Sequence, residues 1–415
     1  MGTRPRTNGH YGGTSLKGLR RNNRGFVYRA IWDLKRVSRA ELASVTGLHP
    51  ATITHIVDEL LADNMIVEVG SADPTIGRPR LQLQVHAEVA YVVGVSMTRE
   101  AVSAALIDLG GAVSEVIQID GLDLAEKQEY TVNRLRQAIE MLLEGAASTG
   151  RNVIGIGIGF PGPVDPATGQ TYLTEAKGIR EPLSFYLGAR LAEYFKHPLY
   201  IDNDSNALAL AEQYFGECHN VHDFVCINCG IGIGAGIVCN GDVYYGPYGN
   251  AGEIGHNVVD IDGVECVCGN RGCLTCYASI PAIIEQVATV LPHYPEPPTL
   301  NYIATLYREG HERVIEVVDR ISRYLGLSII NIVNTLAPEV VVLSSHLEQL
   351  APIIAQNIQV QMRHNLASPM HEHTQIVSSR LKYASLQGSA MLVIRQIYTS
   401  GSFHIHSDAA LSSTK

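Results

Sequence analysis

Nothing in this 415-residue chain approaches the run of roughly 20 apolar residues that a membrane-spanning helix needs. The basic N-terminal stretch, MGTRPRTNGHYGGTSLKGLRRNNRG, lacks a following apolar h-region, so it does not read as a secretory signal. Charged residues are sparse, at 17%, beside 46% hydrophobic residues, a balance that argues for a soluble globular protein. Acids are almost missing from the first 40 residues, where Asp33 alone faces ten lysines and arginines. Cysteines are few outside one short segment: four of the eight lie between Cys266 and Cys276. That clustering argues against a disulfide framework and for a metal site in a reducing compartment. A cytoplasmic protein of more than one domain is expected.

The net charge of −10 conceals an asymmetry. Residues 1–80 carry 12 basic and 7 acidic side chains, a net of +5, and the remainder carries 19 and 34, a net of −15. A basic head on an acidic body is an electrostatic footprint for phosphates. A solvated basic tail is the alternative reading.

Three helical segments can be read between residues 22 and 62. The first places Phe26, Val27, Ala30, Ile31 and Leu34 at helical spacing. The second follows Ser38, with Glu41 three positions on as a capping box, and carries Leu42 and Val45. After a turn at Gly47, the third starts near Pro50 and aligns Ile53, Ile56, Val57, Leu60 and Leu61, with Thr52, Thr54, His55 and Asp58 opposite. Two strands, 66–70 and 81–85, enclose a turn with Arg78 and Arg80. The pattern is a winged helix-turn-helix: Thr52, Thr54 and His55 are the candidates for base contact, and Arg78 and Arg80 for backbone or minor groove. A small helical oligomerisation module is the competing reading.

From about residue 88, short apolar strands alternate with helices, as in an α/β protein. Strands at 91–95, 102–106 and 113–119, a helix at 131–147, and buried strands at 153–160 and 199–201 precede a second meander at 224–227 and 234–238. Within the cysteine segment, Gly252-Glu253-Ile254-Gly255-His256 precedes a C-x-C-G-x-x-G-C run of Cys266, Cys268 and Cys273. One imidazole and three thiolates make a complete tetrahedral set for structural zinc. An all-thiolate site using Cys276 and plain buried cysteines are the alternatives. Cys218, Cys226, Cys229 and Cys239 read as small core residues.

These motifs resemble the ROK family (repressors, open reading frames and sugar kinases) over nearly the whole chain. The segment before residue 88, with its Gly77-Arg78-Pro79 after the first wing strand, is similar to the DNA-binding domain of ROK repressors. One departure is His49, where such repressors commonly have a Ser helix cap. The resemblance implies an α/β chain with an N-terminal winged helix-turn-helix followed by a two-lobed actin-like ATPase fold. The expected organisation is a basic arm over 1–20, the winged helix over 21–86 and a first lobe over 87–200 completed by a C-terminal helix over 385–399. A second lobe with the zinc loop covers 201–384, and a tail covers 400–415.

The resemblance also separates two ligand sites. ROK kinases hold ATP on three glycine-rich elements. Here the first carries Ser96 for its Asp and Glu100 where phosphate would sit; the second reads Gly230-Ile231-Gly232; the third reads Ser344-Ser345 in place of Gly-Gly. Phosphoryl transfer depends on positioning and charge stabilisation, so three such losses argue against a kinase. The sugar side is better kept. Gly162 lies in a G-x-P-G-P loop, Asn203 and Asp204 match the Asn-Asp motif that bonds sugar hydroxyls, and Glu253 and His256 complete the set. Two departures bear on the sugar: Thr275 replaces a family Glu, and the Asn before a Gly-Trp is missing from the stretch Leu173–Ile179. The implied protein is a sugar-responsive repressor, a homodimer or tetramer, with operator DNA and a monosaccharide such as xylose as partners. A sugar kinase with an accessory DNA-binding domain, or a repressor governed by a protein partner, are the alternatives.

Overall fold

The computed structural model describes residues 16–70, 81–98, 101–121, 128–165, 168–173, 183–291, 296–365, 373–400 and 402–403. These fall into two compact units, Met1–Ala87 with Arg395–Ile405, and Glu88–Ile394 with His406–Lys415. Arg78, Arg80, Glu100, most of the basic arm and nearly all of the tail lie outside the described residues.

The first unit is a winged helix-turn-helix. Helices α1 (Leu16–Leu34), α2 (Arg39–Thr46) and α3 (Pro50–Ala62) precede strands β1 (Ile66–Val69) and β2 (Gln82–Val85). Ser38 and Glu41 form the capping box of α2, and Gly47 closes it in the left-handed region at φ 67°. The strands pair antiparallel from Ile66↔Val85 to Val69↔Gln82, and Val37 adds a bridge to Leu83 that the sequence pattern does not announce. The buried face of α1 is Val27, Tyr28, Ile31 and Trp32, with Phe26 and Leu34 exposed. The expected face is thus rotated by about one residue, because Tyr28 and Trp32 bury more area than the aliphatic positions beside them. Val45, expected inward on α2, is also exposed. Tyr398 packs its ring 6.2 Å from Tyr28 and 6.3 Å from Trp32, supplying the aromatic partner that completes this core.

The second unit holds two five-stranded sheets of like design, each a three-strand antiparallel meander continued by parallel strands. In the first, β3 (Tyr91–Met97), β4 (Ala101–Asp108) and β5 (Val113–Asp120) form the meander, and β6 (Val153–Phe160) and β10 (Leu199–Asn203) extend it in the order β10-β6-β3-β4-β5. Helix α4 (Gln128–Ser148) covers its face through Val132, Leu135, Ile139 and Leu142. Small strands β7 (Val164–Asp165), β8 (Gln170–Leu173) and β9 (Leu183–Phe185) and helix α5 (Leu187–Ala192) lead into β10. The division expected at residues 200–201 falls within β10.

Helix α6 (Asp204–Phe215) then opens the second half. Its sheet has the order β13-β12-β11-β14-β15, from β11 (Phe224–Cys229), β12 (Ile233–Cys239), β13 (Asp242–Val243), β14 (Val340–Leu343) and β15 (Gln375–Ser378). Between β13 and β14 run α7 (Thr275–Ala278), α8 (Ile280–Val290), α9 (Leu300–Arg308) and the 25-residue α10 (Glu312–Leu336); α11 (Ala351–Asn365) precedes β15. The last helix, α12 (Ala384–Ser400), lies against the first sheet with no room to spare. A Cβ added at Gly157 would meet the Ser389 carbonyl oxygen at 1.8 Å, and one at Gly388 would meet that of Ala207 at 1.9 Å. This repeated design is the two-lobed actin-like ATPase fold. No described helix is long and apolar enough to cross a membrane.

Candidate functional site

The first sheet delivers Asp202-Asn203-Asp204 at the end of β10, where the chain turns into α6. Asn203 caps that helix: its Oδ1 accepts from the Ser205 and Asn206 amides at 2.9 and 3.3 Å. Its Nδ2 donates to the Gly162 carbonyl oxygen at 2.9 Å, tying the G-x-P-G-P loop to the helix start. Gly162 and Asn203 are therefore brought together by bonding one another.

Asp204 follows as the first residue of α6. Its carboxylate accepts from the Ser205 hydroxyl at 3.2 Å and from Asn228 Nδ2 at 3.0 Å. Desolvation by the surrounding protein outweighs these bonds and raises its pKa to about 6. Asp202, only 2% exposed, is fully engaged: Oδ1 accepts from Asn206 Nδ2 at 3.0 Å, and Oδ2 accepts from the Tyr245 hydroxyl at 2.8 Å. Tyr245 thereby clasps the β10 end to the loop after β13, a role that no sequence motif announces.

Glycines explain why Glu253 and His256 belong to the same region. The 252–256 loop lies on β12, with the Ala235 amide donating to the Gly252 carbonyl at 2.8 Å. A Cβ at Gly252 would stand 1.9 Å from the Ala235 oxygen, and one at Gly255 would stand 2.2 Å from the Ile233 oxygen. The same strand receives α6, since a Cβ at Gly236 would stand 2.3 Å from the Ser205 carbonyl oxygen. Strand β12 thus touches both the start of α6 and the loop that carries Glu253. The Glu253 carboxyl is crowded although the residue as a whole is exposed; that crowding, and then the charge of Asp204, raise its pKa.

His256 turns toward the cysteines. His256, Cys266, Cys268 and Cys273 place their ligating atoms within 4.8 Å of one another, with His256 Nδ1 3.8 Å from Cys266 Sγ and Cys268 Sγ 3.6 Å from Cys273 Sγ. Zinc–sulfur bonds of about 2.3 Å in a tetrahedron imply ligand separations of about 3.8 Å, so this donor set fits zinc. Burial lowers the His256 pKa and favours the neutral imidazole that a metal requires. Short bridges, Val258↔Cys273 and Glu265↔Arg271, fold the loop back on itself, and Gly272 passes so close to Asp260 that a Cβ would stand 1.6 Å from its carbonyl oxygen. Cys276 is not part of the cluster. Cys218, Cys226 and Cys229 are buried in the core, while Cys239 is partly exposed.

At the sequence positions set above against the kinases' second and third glycine motifs, the backbone amides bond internally. The Cys229 amide donates to Ser344 Oγ at 3.2 Å, and the Gly230 amide donates to the Gly232 carbonyl at 2.9 Å. Ser96 lies in register with Gly159 of β6.

In the first unit, Thr54 and His55 are exposed on α3 and Thr52 is half-buried. His49 caps α3, its Nδ1 accepting from the Ala51 amide at 3.2 Å, so imidazole performs the task of the usual Ser. The acids of α3 and of its C-cap are matched by arginines. Arg20 bonds Glu59 and approaches His55 Nε2 at 3.0 Å, Arg24 pairs with Asp63, and Arg39 pairs with Asp58 at 2.8 Å. Part of the basic excess is therefore spent within the domain.

A winged helix-turn-helix unit and a two-lobed actin-like unit define the class. The ROK family profile matches residues 92–396, and the chain belongs to that family. A putative xylose repressor of Caldicellulosiruptor sp. (strain Rt8B.4) is 29% identical over 388 residues, 91% of this chain and 96% of that protein. The DNA-binding transcriptional dual regulator NagC of Escherichia coli (strain K12) is 29% identical over 380 residues, 90% of this chain and 92% of its own. Among solved structures, a ROK family transcriptional regulator described as a homolog of the E. coli MLC protein superposes with a TM-score of 0.77 at 31% identity, covering 92% of this chain and 98% of that one. A ROK family glucokinase from Streptomyces griseus, in complex with glucose and AMPPNP, gives 0.62 at 24% identity over 73% and 99%, a likeness of fold alone.

Proposed function

We propose that this chain is a sugar-responsive DNA-binding transcriptional repressor of carbohydrate-metabolism genes, acting in the cytoplasm as a homodimer or tetramer. The observation that carries the reading is the division within the second unit. Asp204 and Glu253 remain as acceptors for sugar hydroxyls, while the Cys229 and Gly230 amides of the phosphate side bond to Ser344 and Gly232. Such a site retains ground-state recognition without the means to stabilise a phosphoryl transition state, so we assign no enzymatic activity to it.

In this reading α3 lies in the major groove, with Thr52, Thr54 and His55 toward base edges and Arg78 and Arg80 of the wing on backbone or minor groove. Gly162, Asn203, Asp204, Glu253 and His256 surround a monosaccharide. His256, Cys266, Cys268 and Cys273 hold one structural zinc, which fixes the loop that presents Glu253. Sugar binding draws the two lobes together and shifts the oligomer away from its operator-binding state. It does so only to the extent that the sugar binds one state more tightly than the other.

The test is a monosaccharide panel, xylose and N-acetylglucosamine included, scored by release of operator DNA and by ATP-dependent phosphorylation. Release without turnover is the expected result. Phosphorylation of any sugar at an enzymatic rate overturns the proposal, and a panel with no effect returns the control of the repressor to a protein partner.

A further inference from the structure

Three polar side chains that sugar recognition leaves unused stand in line behind Asp204. Asn228, 6% exposed near the end of β11, donates from Nδ2 to Asp204 Oδ2 at 3.0 Å and lies 3.3 Å from Ser205 Oγ. Its Oδ1 is 3.1 Å from Nδ1 of His346, which follows β14. His346 Nε2 is 3.2 Å from Oγ of Ser385, in the first turn of α12. The chain of bonds joins elements separated by 118 and 39 residues in sequence.

Its polarity is forced by donor and acceptor counts. An ionised carboxylate only accepts, so Asn228 turns its NH₂ toward Asp204 and its oxygen toward His346. His346 must then carry its proton on Nδ1, which leaves Nε2 to accept from the Ser385 hydroxyl. Burial lowers the His346 pKa and keeps the ring in this neutral form. The imidazole thus has one tautomer that satisfies both neighbours, set by the carboxylate two bonds away. His346 immediately follows Ser344-Ser345, the pair that stands where ROK kinases carry Gly-Gly, so the relay occupies the side of the molecule where nucleotide recognition has been lost.

We propose that Asn228, His346 and Ser385 are positioning residues of the effector pocket, orienting Asp204 as a hydroxyl acceptor and tying it to the start of α12. This rests on the reading of Asp204 as a sugar acceptor. Without His346, Asn228 loses the partner that fixes which end of its amide faces the carboxylate. Asp204 then loses an oriented, charge-assisted donor and must order itself when sugar binds, an effect on the order of tenfold in affinity.

The test uses full-length, zinc-loaded protein in two arms. In the first, ¹⁵N-histidine labelling with His346 assigned by its loss in His346→Gln reports the ring tautomer without any sugar. A neutral Nδ1–H ring is expected; an Nε2–H ring or an imidazolium overturns the relay. In the second, the sugar that releases wild-type operator is titrated against His346→Leu and His346→Gln. His346→Leu should need about tenfold more sugar with operator affinity unchanged. His346→Gln, whose amide can donate to Asn228 and accept from Ser385, should recover to within about threefold. A purely structural role predicts loss of thermal stability in both variants and no rescue; that pattern, or an unchanged sugar response in His346→Leu, overturns the proposal. If no monosaccharide binds wild-type protein, the effector reading falls together with the pocket role of the relay, and the nitrogen spectrum still decides whether the relay exists.

Discussion

Replacing Asp204 with Asn should make the protein more stable and less responsive at once. The Asp204 carboxyl titrates near 6, against an ordinary 3.8, because the protein around it desolvates the ionised form. That difference corresponds to about 3 kcal/mol against the carboxylate, and the partial exposure of the side chain trims it to about 2 kcal/mol. The sign follows from proton binding. Between pH 3.8 and about 6 the folded state holds a proton that the unfolded state has released, so stability falls as pH rises through this window and is flat above it. An amide carries no such penalty. It can also keep both local bonds, with its oxygen toward Asn228 Nδ2 and its NH₂ toward the Ser205 hydroxyl, which then accepts. Removing the charge also relieves Glu253, whose pKa the Asp204 charge helps to raise. Scanning fluorimetry in excess zinc should find Asp204→Asn melting about 3–5 °C above wild type at pH 8, with roughly half that gap at pH 5. Sugar affinity at pH 8 should fall ten- to a hundredfold, the cost of losing a charged acceptor, while operator affinity holds. A variant less stable than wild type at pH 8, with no pH dependence in the difference, would refute the reasoning and make Asp204 a structural acid.

Three further outcomes are expected. Metal analysis should find about one zinc per chain; Cys268→Ser should lose it and melt early, whereas Cys276→Ser should retain it, since Cys276 lies outside the four-ligand cluster. Replacing Arg78 and Arg80 together by Ala should weaken binding to all DNA sequences and flatten the dependence of affinity on salt, and an unchanged salt slope would remove the wing from the interface. His49→Ala should destabilise the winged-helix unit by about 1 kcal/mol in a denaturant titration, and His49→Ser should restore it; equal stability of all three would deny the imidazole its capping role.

What the sequence shows and what it hides divide along the range of the interactions. The capping box of Ser38 and Glu41, the left-handed Gly47 and the period-two strand at Gln82–Val85 are settled within a few residues, and all are legible. The convergence of His256 with three cysteines is legible for the same reason, because the loop that closes it is short and rich in glycine. The face of α1 is misread by one position because hydrophobic spacing alone does not say that Tyr28 and Trp32 meet Tyr398, about 370 residues onward. Asn203 reads as a sugar ligand, yet its amide is largely committed to Gly162 and to the start of α6. The departures from the kinases' glycine motifs are visible because they are local, at Ser96, Ile231 and Ser344-Ser345. What these residues bond to is not visible. The Ser344 hydroxyl on the Cys229 amide and the Asn228–His346–Ser385 line acquire meaning only when β11, β14 and α12 are brought side by side. A lone Asn in an apolar strand and a His after a turn carry no sequence signal for that role. Their partners are fixed by the fold, so the polar wiring of this site is the part that only coordinates supply.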